Sequence, residues 1–259
     1  MTAFLFVTDL DHTLVGDDNA LKQLNQKLSQ HRQEFGTKIV YATGRSRVSY
    51  LQLKAKKQLL KPDALIASVG TEIYQDDGND VPDAAWSDKL SVGWDREIAV
   101  AIAGEYADLV PQEYAEQRPF KVSYLVTEAA AAEILPRLKK QLSDSEALLQ
   151  ADRNLSVNLI YSGGKDLDIL PTNANKGLAV QFLQQQWGIE NTRTVACGDS
   201  GNDIALFSVG ESRGIIVGNA RPELVKWYKE NPADFRYLAG ASCAGGILEG
   251  LGYFGFLAG

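Results

Sequence analysis

The sequence predicts an α/β protein: a Rossmann-like parallel-sheet core interrupted by an inserted α+β domain. Three observations carry this expectation. Short apolar runs alternate with helical periodicity over the first third of the chain. The middle third switches to strand patterns around one Ala-rich helix, and the first rhythm returns from Lys176 onward.

Phe4-Leu5-Phe6-Val7 is a continuous apolar run, the pattern of a strand buried on both faces. Asp18 or Asn19 is placed to cap a helix that carries Leu21, Leu24 and Leu28 on one side. Thr37 to Ala42 is read as a second strand, followed by a helix through Tyr50 and Leu51, and Ala64 to Ala67 as a third strand. Strands separated by helices of this length predict a parallel sheet with right-handed crossovers. The acidic turn cluster between Gln75 and Asp83, with Asp76, Asp77, Asn79, Asp80 and Pro82, marks the exit from the core. Beyond it, Phe120 to Val126, Leu155 to Tyr161 and Asp166 to Leu170 are expected strands. Glu128 to Leu142 is an expected helix with a local distortion at Pro136. Helices over Leu178 to Trp187, Ile204 to Ser208, Pro222 to Tyr228 and Ala244 to Leu251, with strands at Thr194 to Cys197 and Gly214 to Val217, complete the core. The expected division is therefore residues 1–80 with 171–259 as core and 81–170 as insert.

Composition narrows the function. At 45% hydrophobic and 23% charged residues the chain is ordinary globular protein. A net charge of -7 supplies no basic field for nucleic acid or an anionic membrane. No apolar run approaches the roughly 20 residues that span a bilayer, and the start of the chain lacks a basic n-region. A soluble cytoplasmic protein, monomeric, is the expectation. Cys197 and Cys243 stand far apart in no metal-binding spacing and are expected as reduced, buried thiols.

Four clusters fall where strands end, which is the edge of an open parallel sheet that binds ligands. The first is Asp9-Leu10-Asp11-His12-Thr13. Two carboxylates one residue apart repel by roughly 4 kcal/mol at about 4 Å and an effective dielectric near 20. They are costly as structure unless they form a turn with both side chains solvated. The second is Thr43-Gly44-Arg45, where a hydroxyl and backbone donors can meet a phosphate, or where Thr43 or Ser46 simply caps a helix. Arg45 reads equally as an ester ligand or as an exposed helix-start arginine. The third is Asn175-Lys176-Gly177, which offers a compact positive charge to a phosphoryl group or a surface lysine. The fourth is Gly198-Asp199-Ser200-Gly201-Asn202-Asp203, whose aspartates can converge on one hard cation, or cap a glycine-rich loop at Asp199 or Ser200.

In that order, Asp-x-Asp-x-Thr, Thr-Gly-Arg, Asn-Lys-Gly and Gly-Asp-x-x-Asn-Asp resemble the haloacid dehalogenase superfamily of phosphatases. More narrowly the chain resembles the sucrose-phosphate phosphatase family of cyanobacteria and plants. The further carriers are Val69-Gly70-Thr71-Glu72-Ile73-Tyr74 and Ser162-Gly163-Gly164-Lys165-Asp166-Leu167-Asp168. His12 departs from the Asn common at that spacer position.

The resemblance implies a magnesium-dependent phosphatase acting on a sugar phosphate, sucrose 6-phosphate, through an aspartyl-phosphate intermediate. Asp9 would be the nucleophile and Asp11 the general acid and base. Asp11 would be protonated at the outset while Asp9 is ionised. Thr43, Gly44, Arg45 and Lys176 would hold the phosphoryl group. The Asp9 carboxylate, the Asp11 carbonyl and Asp199 would hold Mg2+, with Asn202 and Asp203 completing or orienting the shell. The insert would be a cap that selects substrate through Ser162, Gly163, Lys165, Asp166 and Asp168, a segment that reads otherwise as a hairpin turn with solvated charges. Glu72, taken to lie just past a core strand, would be a further sugar contact. Three alternatives stay open: a capped phosphatase for another sugar or polyol phosphate, a phosphomutase, and a non-catalytic sugar-phosphate sensor or partner of a synthase. Association with a synthase is compatible with catalysis.

Overall fold

The computed structural model describes residues 2–75, 78, 80–148 and 157–257. Five elements open the chain: β1 (Leu5–Thr8), α1 (Asp18–Phe35), β2 (Lys38–Ala42), α2 (Arg47–Lys56) and β3 (Ala64–Ala67). β4 (Glu72–Tyr74) and α3 (Ala84–Ser91) follow. The middle block holds α4 (Arg96–Ala103), β5 (Val110–Pro111), β6 (Val122–Leu125), α5 (Glu128–Leu148), β7 (Val157–Ser162) and β8 (Asp166–Pro171). The last third runs α6 (Lys176–Trp187), β9 (Thr194–Gly198), α7 (Ile204–Ser208), β10 (Arg213–Ile216), α8 (Pro222–Glu230), β11 (Arg236–Leu238) and α9 (Cys243–Tyr253).

The larger sheet has seven strands in the order β11-β10-β9-β1-β2-β3-β4. Every described pairing in it is parallel except β3 with β4. β1 sits at the centre, and Leu5, Phe6 and Val7 are wholly buried, as a continuous apolar run requires. One face of the sheet is covered by Leu21, Leu24 and Leu28 of α1 with Ala244, Ile247 and Leu251 of α9. The other is covered by Ala179, Val180 and Leu183 of α6, with Leu206, Leu224 and Trp86. The cap of α1 is Asp17, one residue ahead of the expected position, its carboxylate accepting from the amides of Asn19 and Ala20.

The smaller sheet is antiparallel, ordered β5-β6-β8-β7. Ala99 and Ala103 of α4 and Ala131, Ile134, Leu138 and Leu142 of α5 pack against its Val122, Tyr124, Leu167 and Ile169. α5 continues as one helix past Pro136, the position at which a local distortion is expected. Trp86 and Leu90 of α3 pack with the parallel sheet, although the sequence reading divides the chain at residue 80. Asp76, Asp77 and Asn79 of the turn cluster, and Leu155 at the start of an expected strand, lie outside the described residues.

Five elements escape the periodicity reading. β4, β5 and β11 are two or three residues long. α3 and α4 are eight-residue helices behind the aspartate caps Asp83 and Asp95, in a stretch without a sustained apolar stripe. Glu72 therefore lies within an edge strand and not beyond one. Both cysteines are free and buried, as expected. No described helix is long and apolar enough to cross a membrane.

Candidate active site

β1 has β9 on one side and β2 on the other, so the loops leaving these three strands share one edge. The chain steps outward in opposite directions from β1, which opens a crevice at their carboxyl ends. Asp9 and Asp11 leave β1, Thr43 to Arg45 leave β2, and Asp199 to Asp203 leave β9. Lys176 enters from the first turn of α6, which Asn175 caps by accepting from the Leu178 amide at 2.8 Å. Gly70 lets that turn approach: its φ is +97°, and a Cβ there would stand 2.3 Å from the Asn175 carbonyl carbon.

Lys176 is completely buried, and its Nζ donates at 2.7 Å to both Asp9 Oδ1 and Asp203 Oδ1. The second oxygen of Asp203 accepts from the amides of Asp199 (3.0 Å) and Ser200 (3.1 Å). Gly198 makes room for it, since a Cβ there would fall 2.5 Å from the Asp203 Cβ. Asp199 Oδ1 accepts from the Thr13 hydroxyl at 2.9 Å. One oxygen from each of Asp9, Asp199 and Asp203 lies within 4.8 Å of the others, and all three residues are buried.

Three carboxylates facing one ammonium leave two negative charges in excess when all are ionised. The protein resists that state. Burial pushes Asp9 up to about 8, against the pull of Lys176 and with the help of Asp203 and Asp199. Burial, with Asp203 beside it, pushes Asp199 up to about 6. Burial works to lower Lys176, but Asp203 and Asp9 overcome it and raise the ammonium above its ordinary value. An ionised Asp9, as expected for the nucleophile, needs more positive charge than Lys176 alone supplies. All-oxygen donors with a surplus of two charges fit a hard divalent ion such as magnesium.

The surplus gives a testable pH dependence. Asp9 and Asp199 release their protons later in the folded chain than in the unfolded one, where aspartate ionises near 4. Between about pH 4 and 8 the folded state then holds more protons, so stability falls as pH rises. Chelated protein is expected to be less stable at pH 8 than at pH 5 by more than about 1 kcal/mol, the worth of roughly one pKa unit. Magnesium should remove most of that difference. Urea midpoints at the two pH values, with chelator and with magnesium, check it. A chelated protein equally stable at both values would show that the surplus is absent.

Asp11 faces the other way. Its two oxygens accept from Arg45 Nε and Nη2, each at 2.7 Å, while Ser49 Oγ accepts from Arg45 Nη1 at 2.8 Å. The Asp11 fork raises the Arg45 guanidinium above its ordinary value, the hydrogen bonds to Asp11 outweighing the opposing effect of burial. Thr43 is fully buried and its hydroxyl accepts from the Arg45 amide at 3.1 Å, while the cap of α2 is Ser46.

These groups floor a cavity of about 430 Å3 between the two sheets. Asp9, Asp11, Gly44, Arg45, Asp199 and Asn202 line one side, and Ser162, Gly163, Lys165, Asp166 and Asp168 line the other. The glycine turn is an ordinary hairpin, with Gly163 at φ +62° and Gly164 at +71°, and of its residues Ser162, Gly163 and Lys165 face the cavity. Thr43, Lys176 and Asp203 lie just behind the lining. Glu72 does not reach the cavity: it is buried and accepts from Arg118, Tyr74 and Ser68. Glu72, expected as a sugar contact, has its carboxylate engaged by these three partners instead of facing the cavity.

The sequence reading missed Gln112, Glu116 and Lys121 on the far wall. Lys121 is 2% exposed and lies 3.4 Å from both Glu116 and Asp168. Its signal was available: a lysine between Phe120 and Val122, just ahead of a mostly apolar strand.

With this geometry the relatives can be read. The family model of sucrose-6F-phosphate phosphohydrolases matches residues 2–255. The chain belongs to that family. A probable sucrose-phosphatase 2 of Arabidopsis thaliana is 41% identical over 96% of this chain, which spans 59% of that relative's length. A mannosylfructose-phosphate phosphatase of Agrobacterium fabrum is 33% identical over 97% of this chain and 96% of its own. The solved sucrose-phosphatase of Synechocystis sp. PCC6803, in complex with sucrose and phosphate, superposes at a TM-score of 0.89 with 40% identity, covering both chains completely. A haloacid dehalogenase subclass IIB sugar phosphatase at 18% identity (TM-score 0.65, 98% of this chain and 99% of its own) shares the fold. The sucrose-6F-phosphate phosphohydrolase family thus sits on a haloacid dehalogenase-type fold.

Proposed function

We propose that this protein hydrolyses sucrose 6-phosphate to sucrose and phosphate. The observation that carries the chemistry is the buried set of three carboxylates around Lys176, which is short of two positive charges beside an open cavity. Family membership and the solved sucrose-phosphatase support the choice of ester.

In this reading residues 1–80 and 171–259 form the catalytic core and 81–170 the cap. Asp9 attacks phosphorus in line; the new Asp9–phosphorus bond forms as the bond to the sugar oxygen breaks. Asp11 gives its proton to the departing alkoxide, then takes one from the water that attacks the acyl phosphate and frees Asp9. Both oxygens of Asp11 are held by Arg45 in this structure, so the fork must open for either transfer. Arg45, Gly44 and Lys176, with Thr43 behind them, balance charge on the phosphoryl oxygens. Asp9, the Asp11 carbonyl and Asp199 would hold magnesium, with Asn202 beside them and Asp203 fixed by two amides as an orienting group. When bound, the ion supplies the two missing charges that allow a negative side chain to meet a negative ester.

The far wall would read the sugar. Lys165 is exposed and at the hairpin tip, so it can be truncated without disturbing the core. Lys165→Ala is expected to raise KM for sucrose 6-phosphate about tenfold and leave a small aryl phosphate within about twofold. Equal effects on both esters would remove this segment from recognition. A second reading, another disaccharide phosphate, is favoured by the full-length similarity to mannosylfructose-phosphate phosphatase. A phosphate-release screen across sugar phosphates, with magnesium and with chelator, tests both. Magnesium-dependent release that is fastest from sucrose 6-phosphate is expected; preference for another ester, or release indifferent to chelator, would overturn the proposal.

A further inference from the structure

The turn that delivers Glu116 and Lys121 to the cavity also carries Arg118. Arg118 and Lys121 close that turn by exchanging backbone hydrogen bonds at 2.9 and 3.2 Å. From it, Arg118 reaches the parallel-sheet side and donates to Glu72 through Nε and Nη2, both at 2.8 Å. The Glu72 side chain is 4% exposed and that of Arg118 29%. The other Glu72 oxygen accepts from the Tyr74 hydroxyl at 3.1 Å and the Ser68 hydroxyl at 3.3 Å. A second strap crosses nearby, where the Ser46 hydroxyl donates to Glu116 at 2.8 Å.

Ser68 is no ordinary neighbour. It begins three consecutive residues in the left-handed region, Ser68 (φ +52°), Val69 (+61°) and Gly70 (+97°). Two of these carry side chains that disfavour it, a local cost retained where surrounding contacts determine it. The Ser68 amide donates to the Arg45 carbonyl at 2.8 Å, and the Val69 amide to the Thr43 carbonyl at 3.1 Å. The Val69 side chain lines the cavity, and Gly70 abuts the backbone of Asn175 and Lys176. The strained loop therefore touches both backbone segments that hold the proposed phosphoryl ligands.

We propose that Glu72 and Arg118 form the clasp that seats the cap, and that Glu72 is a positioning residue. It links the cap through Ser68 to the loop behind Thr43, Arg45 and Lys176. The inference rests on the phosphatase reading for its kinetic consequences but not for its structural one. When Arg118 docks, Glu116 and Lys121 arrive at the cavity wall on the same turn, and the strained loop is held against the phosphoryl side. Without the clasp the cap should sample open positions, which gates turnover as lids do.

The test uses the full chain with cysteines placed at the exposed Gln26 and Lys140 for a donor–acceptor fluorophore pair, since Cys197 and Cys243 are buried. Arg118→Met should lengthen the mean distance between the probes in the absence of any ligand, and Arg118→Lys should restore most of it. In turnover, Arg118→Met should lower kcat/KM for sucrose 6-phosphate about tenfold or more, with kcat as well as KM affected. Glu72→Gln added to Arg118→Met should cost no more than about twofold beyond the single change, because both remove one interaction. Should Glu72→Gln fail to fold, the Arg118 series decides alone. An Arg118→Met protein with native probe distance would overturn the clasp, as would effects of the two changes that multiply. Failure of the native protein to release phosphate would instead overturn the phosphatase reading, and the distance measurement would still decide the clasp.

Discussion

Asp9→Asn is expected to lower phosphate release by at least about ten-thousandfold, the scale of losing a nucleophile. An amide at position 9 cannot form the acyl phosphate, and none of the neighbouring carboxylates can replace it. Asp199 is tied to Thr13, and Asp203 is engaged by Lys176 and two amides. The same change should stabilise chelated protein near pH 8. It removes one negative charge from a buried set that already exceeds its counter-charge, and the Asp9 carboxyl resists ionisation there until about 8. Loss of turnover combined with a raised chelated melting temperature is the signature. Substantial remaining turnover would reject the nucleophile assignment. An unchanged or lowered melting temperature would reject the charge accounting.

Lys176→Met should do the reverse to stability. The ammonium is wholly buried and bridges Asp9 and Asp203 at 2.7 Å. Removing one partner of a buried ion pair costs on the order of 3–5 kcal/mol because the remaining charge is uncompensated. Two carboxylates lose their partner here, so the change should reach that range in chelated protein at pH 8. It should shrink at pH 5, where Asp9 can hold a proton. Turnover should fall by about a thousandfold or more through loss of a charge beside the phosphoryl group. Denaturant melts at both pH values and phosphate release measure these effects. A destabilisation independent of pH would mean that Lys176 matters for packing alone.

The core was legible because its strands are short apolar runs that end in chemistry. Each of Thr8, Ala42 and Cys197 closes a buried stretch, and the next residues carry the carboxylates, hydroxyl and amides of the site. Sequence order also placed Lys176 at a helix start, where the Asn175 cap and Gly70 now explain its approach. What was hidden depends on partners distant in sequence. Glu72 is an acidic residue in a three-residue strand, and only the arrival of Arg118, 46 residues later, converts it from a sugar candidate into one half of an ion pair. Lys121 is isolated in sequence and becomes notable only when Glu116 and Asp168 close around it. Periodicity reports which face of an element is buried. It does not report which charge meets which across two sheets, and the far wall of the cavity consists of such meetings.

The central claim is that Asp9 takes the phosphoryl group from the ester. Acid quenching during steady turnover of sucrose 6-phosphate labelled in the phosphate, followed by peptide mapping, tests it most directly. Label attached to the peptide bearing Asp9, lost on treatment that cleaves acyl phosphates and missing from Asp9→Asn, is the expected result. Label held by another residue, or turnover that persists in Asp9→Asn, would contradict the account.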